Sequence, residues 1–380
     1  MKIAINCINL NSAGGLSVAL NFLHQIVQMD FKDRVFHVFA PSNEEYKKLN
    51  HPSLVMHYVS NGMRKHIARL YTDNYWLPKK IKSLDVDIVF SMGNFGIPVS
   101  NIKQALLFHW PYAIYFQEKE LWRIMSKRDR LNRTIRRKVF QNRLKHINVI
   151  FPQTNVAAKR LKEHYPDLNS IIAIPNAYTA SKIEKKNTQD FFERKEGNKY
   201  LLCLSRYYPH KNIEVLVDVA KIIKAKNLNY KIVITISADQ HHKVNWIEKQ
   251  IDLLGLEDIL LNIGQVPFEL VPSLYESVDA LILPTLLESF SGTYVDAMFY
   301  GKTIFTSNKD FATEVCGKAA YYFDPLSAMN ILETVNVAYS NKLELDQKIA
   351  IGEARVQSFP NWKQVAEKYL AELENLYYSK

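Results

Sequence analysis

The chain has 380 residues, 47% of them hydrophobic and 23% charged, with only 12 Gly and 14 Pro. That mixture excludes long disorder and allows one large core or two medium ones. Three isolated thiols, Cys7, Cys203 and Cys316, each beside apolar residues, argue against a disulfide frame or a cysteine zinc site. The net charge of +11 suggests an anionic partner: a phosphate ligand, a lipid surface or nucleic acid.

The opening "MKIAINCINL" goes straight into a strand-like alternation with no apolar leader. No stretch reaches the ~18 apolar residues of a membrane span. The expected setting is therefore cytoplasmic. Strands are predicted in "KIAINCI", "RVFHVFA", "DIVFSM", "QALLFH" and "NVIFPQ", and between them lie helical patterns such as Val18–Met29 and Val156–His164. A second series follows: "YLLCLS", "KIVITIS", "ILLNIG", "ALILPT" and "TIFTSN". Short apolar runs alternating with helices indicate βαβ units and parallel sheets, hence an α/β chain. The polar stretch 177–198 reads as a linker between a first domain, 1–176, and a second, 199–358. From 359 to 380 a last amphipathic helix carries Trp362, Val365, Tyr369 and Leu373 on one face, so it docks on something.

Several places could carry chemistry. After the first strand, "NLNSAGGLSVAL" puts Gly14 and Gly15 in a loop. Paired glycines often only make a tight turn, but here they mark a close backbone approach. His109 ends an apolar strand in "LLFHWPYAIYF"; a lone His is often structural, and the aromatics after it could form a wall for a sugar or acceptor. From Arg123 to Lys145 ten cations face one acid, Asp129. This segment reads as a helix that either docks through Leu131, Ile135 and Val139 with its cations in water, or meets anionic lipid. Arg206 and Lys211 lie in a loop between a buried strand and an amphipathic helix, where two cations could balance a diphosphate.

The richest stretch is "LPTLLESFSGTYVDAMFYGKTIF", Leu283–Phe305. A strand end leads through Glu288, Phe290 and Ser291 to Gly292 and Thr293 at a helix start. A helix N-terminus offers free N–H groups and a positive dipole end, an anion site for a phosphate. Glu288 and Asp296, with seven residues between them, could accept bonds from ligand hydroxyls; alternatively, Asp296 only favours the helix dipole. Two other groups look like decoys. Asp85 and Asp87 match a metal-binding DxD, yet read as acids entering a strand. His241 and His242 lack a spaced third ligand.

Together these residues resemble the retaining glycosyltransferases of family 4. "SRYYPHK" is similar to that family's Arg-x4-Lys diphosphate loop, and "IIAIPNAY" to the segment before its linker. "NIGQVPFELVPSLYESVDALILPTLLESF" resembles its run through the nucleotide pocket, and "EVCGKAAYYFDP" the stretch after it. The family's Glu-x7-Glu appears with Asp296 in second place, one methylene shorter.

The resemblance implies a GT-B fold, in which two Rossmann-like domains face a cleft and the last helix packs back on the first. It implies a UDP- or GDP-linked sugar on the second domain, with the diphosphate on Arg206, Lys211, Ser291, Gly292 and Thr293. Glu288, Asp296 and Phe290 would meet the sugar and ribose, and His109 would face donor or acceptor. The acceptor would be a glycan or lipid-linked glycan on the first domain, in assembly of a bacterial-type surface polysaccharide such as an O-antigen. The transfer would be retaining, and no metal and no nucleic acid are expected. A GT-B nucleotide-sugar epimerase and a non-catalytic nucleic-acid or membrane-surface module are the alternatives.

Overall fold

A computed structural model of the protein describes residues 1–11, 13–29, 31, 33–60, 62–64, 66–178 and 190–379. Residues 179–189, half of the 177–198 linker, thus lie outside the described residues. The chain forms two compact units, each with a six-stranded parallel sheet. The first unit comprises Met1–Gln117, Ser126–Ala177 and Pro360–Lys380; the second comprises Glu118–Met125 and Tyr178–Phe359.

In the first unit the strands are β1 (Lys2–Asn6), β2 (Val35–Pro41), β3 (Leu54–Val59), β4 (Ile88–Ser91), β5 (Lys103–Phe108) and β6 (Val149–Pro152), in the spatial order 3-2-1-4-5-6. The second unit has β7 (Lys199–Cys203), β8 (Tyr230–Ile234), β9 (Leu260–Asn262), β10 (Ala280–Leu283), β11 (Thr303–Ser307) and β12 (Ala320–Phe323). Its order, 12-11-10-7-8-9, is the same topology repeated. Parallel strands covered by helices on both faces must be apolar on both, which is why most of them read as unbroken apolar runs.

The sequence reading misses β3 and β12, both at a sheet edge. β3, "LVMHYV", is partly exposed and carries His57 and Tyr58, and β12 has only four residues. Edge position alone does not hide a strand, since β6 and β9 are also edges and their more apolar runs are read.

The last helix, Trp362–Tyr378, starts with a capping box between Asn361 and Gln364. Its buried face, Val365, Ala366, Tyr369, Leu370 and Leu373, belongs to the core of the first unit. There Tyr369 meets Phe22, Phe90 and Phe151 at ring-centroid distances of 5.8, 5.5 and 5.4 Å. Burying these rings contributes area and edge-to-face contacts together. The helix thus completes a sheet whose strands lie more than two hundred residues earlier in the chain.

The basic segment departs from the expected continuous helix. It breaks into Lys119–Arg123, grouped with the second unit, and Lys127–Leu144, grouped with the first. Ser126 caps the longer helix by accepting from the Asp129 N–H at 3.1 Å. Among the described residues no helix is long and apolar enough to cross a membrane.

Candidate functional site

In a doubly wound sheet, ligands bind beyond the carboxyl ends of the strands, where the strand order reverses. In the second unit this point lies between β7 and β10. The chain leaves β7 through Arg206, turns at Pro209–Lys211, and reverses at Asn212 in the left-handed region, φ 53°. The Asn212 side chain fixes that turn by donating to the Pro325 carbonyl at 2.7 Å. After β10 the chain passes Thr285 and Glu288 before the Gly292–Phe299 helix.

Two contacts join these loops. The Leu286 N–H and the Thr285 hydroxyl both donate to the His210 carbonyl, at 2.7 and 3.3 Å. Lys211 Nζ then meets Glu288 Oε1, with both side chains largely buried at 15% and 13% exposure. The expected base and the expected acid are thus one ion pair. Removing either partner would strand a charge away from water, which makes the pair a strong constraint on both loops.

The helix start keeps its donors free of the cap. Ser291 has extended geometry but makes no side-chain capping bond. A Cβ on Gly292 would meet nothing within 4 Å, so the backbone there is open to a ligand. Arg206 is half-buried, and among the described residues its guanidinium has no hydrogen bond or ion pair. Phe290 packs edge-on against Phe359 at 5.9 Å. Asp296 sits on the same helix, near Tyr275 and Tyr300, and burial pushes its carboxyl up to about 7.

Sequence reasoning missed what holds the Arg206 loop. The Tyr207 N–H donates to Gln240 at 2.7 Å, and the Tyr207 hydroxyl to Glu214 at 2.7 Å. Lys243 reaches the same Glu214 oxygen at 2.8 Å, and His241 stacks on Tyr207 at 5.0 Å. Gln240, His241 and Lys243 form one segment that meets Tyr207 and Glu214 from 33 and 29 residues away, so no local pattern announces it. His241 also caps the helix after it, accepting from the Lys243 N–H at 3.2 Å.

In the first unit three expectations need correction. Gly14 and Gly15 are not in a loop: the helix starts at Ala13 and places both in its opening turn. Apolar periodicity begins later than the helix because an opening turn need not bury a face. Gly15 does make the close approach, since a Cβ there would lie 3.0 Å from Leu10 Cδ2 and 3.8 Å from His109 Nε2. Around Gly14 nothing lies within 4 Å of such an atom.

The aromatics after His109 form packing and not an open wall. Trp110 and Tyr112 are buried, with Trp110 at 5.8 Å from Phe95 and 6.2 Å from Phe140. The long basic helix docks by its cations and not by its apolar stripe. Leu131, Ile135 and Val139 are 60%, 51% and 43% exposed. Arg133 instead stacks on Tyr112 at 3.4 Å, Arg136 on Trp110 at 5.1 Å and Arg137 on Phe116 at 4.0 Å. Flat guanidinium groups cover aromatic faces well, which lets an arginine-rich face bury.

His109 takes the place expected for it, after β5. Its backbone N–H donates to the Asn94 side-chain oxygen at 2.7 Å, and among the described residues its buried Nδ1 has no partner. Burial alone lowers its imidazole to about 4, so the ring is neutral near pH 7. Asp87 serves the sheet, accepting from the Lys2 N–H at 2.7 Å, and Asp85 sits in an exposed left-handed turn.

Comparison with known proteins agrees with this fold. Residues 184–354 match the model of the family described as Glycosyl transferases group 1. A 139-residue stretch is 25% identical to the O-antigen chain mannosyltransferase RfbU of Salmonella typhimurium, covering 37% of this chain and 38% of that protein. Among solved structures, a sucrose-phosphate synthase from Thermosynechococcus elongatus superposes with a TM-score of 0.76, at 14% identity over 99% of both chains. Anabaena HepE in complex with UDP and glucose gives 0.71, at 12% identity over 99% of this chain and all of that one. The two doubly wound units are those of the GT-B fold.

Proposed function

We propose that this chain transfers a glycosyl group from a UDP- or GDP-linked sugar to a glycan or lipid-linked acceptor, with retention of anomeric configuration and without a metal. One observation carries the reading: Lys211 is paired with Glu288 at the carboxyl ends of β7 and β10, beside the open helix start at Gly292. The group 1 match over this unit supports it, as do the mannosyltransferase relative and the HepE complex with UDP and glucose.

The chemistry follows from the groups present. Lysine has three donors, so Lys211 can hold Glu288 and a phosphate oxygen together. Arg206 adds a planar fork, and the Gly292 and Thr293 N–H groups add dipoles aimed at the same charge. When the anomeric C–O bond breaks, negative charge grows on the departing diphosphate. Each fixed donor that meets it contributes about 3 kcal/mol to the transition state. The acceptor oxygen forms the new bond on the same face, and its proton passes to a diphosphate oxygen. Glu288 orients sugar hydroxyls and need not become a nucleophile. Asp296, close to half-protonated at neutral pH, can accept from or donate to a ribose hydroxyl. Neutral His109 offers a ring nitrogen to a sugar hydroxyl. A role in surface-glycan assembly at the inner face of a membrane fits the mannosyltransferase relative.

The test is calorimetric titration with UDP-, GDP- and dTDP-sugars in EDTA, followed by NMR of the product's anomeric centre. Tight binding of one donor and a retained anomer are expected. No binding by any of them, or activity restored only by added metal, would refute the reading.

A further inference from the structure

The first sheet has a reversal point of its own, between β1 and β4, and a groove opens there. Asn6, the last residue of β1, and Asn9 form part of its floor, together with Phe95–Ile97 after β4. Its walls come from the Lys127–Leu144 helix and from the segment around Thr72–Trp76, which winds as a π-helix. Single π turns inside helical segments are rare and are often found at functional sites. The cavity measures about 350 Å³, enough for a small headgroup and several carbons but not for a folded peptide.

Two kinds of side chain line it. Arg69, Arg136 and Arg143 are cationic, and Asp73 is the one acid among the lining residues, leaving an excess of two positive charges. Asp73 is engaged by Arg69 at 2.6 Å. Arg143 donates through one terminal nitrogen to Asn74 at 2.6 Å, while its other terminal nitrogen is buried without a partner among the described residues. Arg136 lies flat between Trp110, at 5.1 Å, and Phe95, at 5.8 Å, and among the described residues it has no ion pair. Beside these cations Leu70, 63% exposed, and the exposed Ile135 and Val139 form an apolar wall.

A buried guanidinium donor without an acceptor costs free energy, and so does exposed aliphatic surface. One molecule relieves both if it carries an anionic oxyacid at one end and a hydrocarbon at the other. We propose that this groove binds a phosphate-bearing amphiphile, with the phosphate on Arg69, Arg136 and Arg143 and the chain along Leu70, Ile135 and Val139. As an assignment of the acceptor's class this rests on the transferase reading; as a binding site it stands without it. A nucleic acid would supply phosphate but no aliphatic chain, and a flat bilayer would leave the groove's floor unfilled.

The test uses the full chain with no donor present. Octyl phosphate below its micellar concentration, octanol and inorganic phosphate are each titrated by calorimetry. Octyl phosphate should bind tightest, and Arg143→Gln should weaken it by about tenfold while leaving octanol unchanged. Val139→Asn, on the exposed side of the helix, should weaken octyl phosphate and octanol alike and leave inorganic phosphate unaffected. It also keeps the test open if Arg143→Gln fails to fold. Vesicles of phosphatidylglycerol form the last arm. Octyl phosphate binding no tighter than inorganic phosphate, or vesicle binding with no octyl phosphate binding, overturns the proposal. Failure here leaves nucleotide-sugar binding by the second unit unaffected, so the two readings fail separately.

Discussion

At the carboxyl ends of β7 and β10 a lysine and a glutamate satisfy each other, and a helix start stands open beside them. At the ends of β1, β4 and β5 arginines lie on aromatic rings, a histidine nitrogen is buried without a partner among the described residues, and apolar side chains face out. Both places come from one strand order used twice. Topology therefore decides where a ligand can sit, and the few residues following each strand decide its chemistry. One crevice suits a polar ligand rich in hydroxyls and phosphate; the other suits a ligand that is half hydrocarbon.

The sharpest way to break that contrast is to remove the pair. Glu288→Gln should lower transfer by about 100-fold or more and, by leaving the Lys211 charge unpaired, should destabilise the second unit by about 3 kcal/mol, as steady-state kinetics and calorimetry would show. Near-normal turnover would mean the second crevice is not the reaction site. Lys211→Met should weaken UDP or GDP binding far more than binding of the bare nucleoside, and should also destabilise the second unit by about 3 kcal/mol. The double variant Lys211→Met, Glu288→Gln should regain most of that stability and none of the nucleotide affinity. If both return, the pair serves packing only.

A smaller effect concerns Asp296. Its carboxyl is raised in the fold, so the folded state holds a proton that the unfolded state gives up above about pH 4. Its stabilising contribution is complete below that pH and is lost as pH rises through about 7. Asp296→Asn, neutral throughout, should match wild type near pH 4 and be more stable by about 2 kcal/mol above pH 7, after allowance for partial exposure. A difference that does not change with pH would show that this carboxyl is not held up by burial.

The smallest expected effect lies in the first unit. The Tyr369 hydroxyl is buried with no partner among the described residues. Tyr369→Phe should thus be neutral or stabilising by up to about 1 kcal/mol in a denaturant melt. A clear loss of stability would reveal a hydrogen bond in that core.

Much of this could be read from residues alone, and the failures share a cause. The central strands, the loop with Arg206 and Lys211, and the turn from Glu288 to Gly292 are local patterns, and each falls at a strand end as expected. Strands β3 and β12 escaped because a half-exposed run and one that is half tyrosine are only weakly apolar. Pairing of Lys211 with Glu288 depends on residues 77 apart in the chain, and Gln240 and Lys243 support Tyr207 and Glu214 from 33 and 29 residues away. The basic helix was misjudged for a different reason. Hydropathy places arginine in water, while its planar group can lie face-on against Trp110 and Tyr112. Glutamine at Arg133 or Arg136 would therefore remove packing as well as charge, and Lys138 or Lys145 is the better site for probing charge alone.

The final helix has a consequence for the order in which the protein can be finished on the ribosome. Tyr369 fills the space between Phe22, Phe90 and Phe151, so the first sheet waits for the Trp362–Tyr378 helix to be synthesised. The second unit, nearly continuous from Tyr178 to Phe359, has almost all of its chain before then. At the usual pace of translation the interval between β6 and that helix is about ten seconds or more, long compared with the folding of a small domain. During that time the apolar face that Tyr369 will cover stays open. A nascent chain stalled before residue 360 is thus expected to bind chaperones through its first sheet and not its second, which pulse proteolysis of arrested chains would show directly.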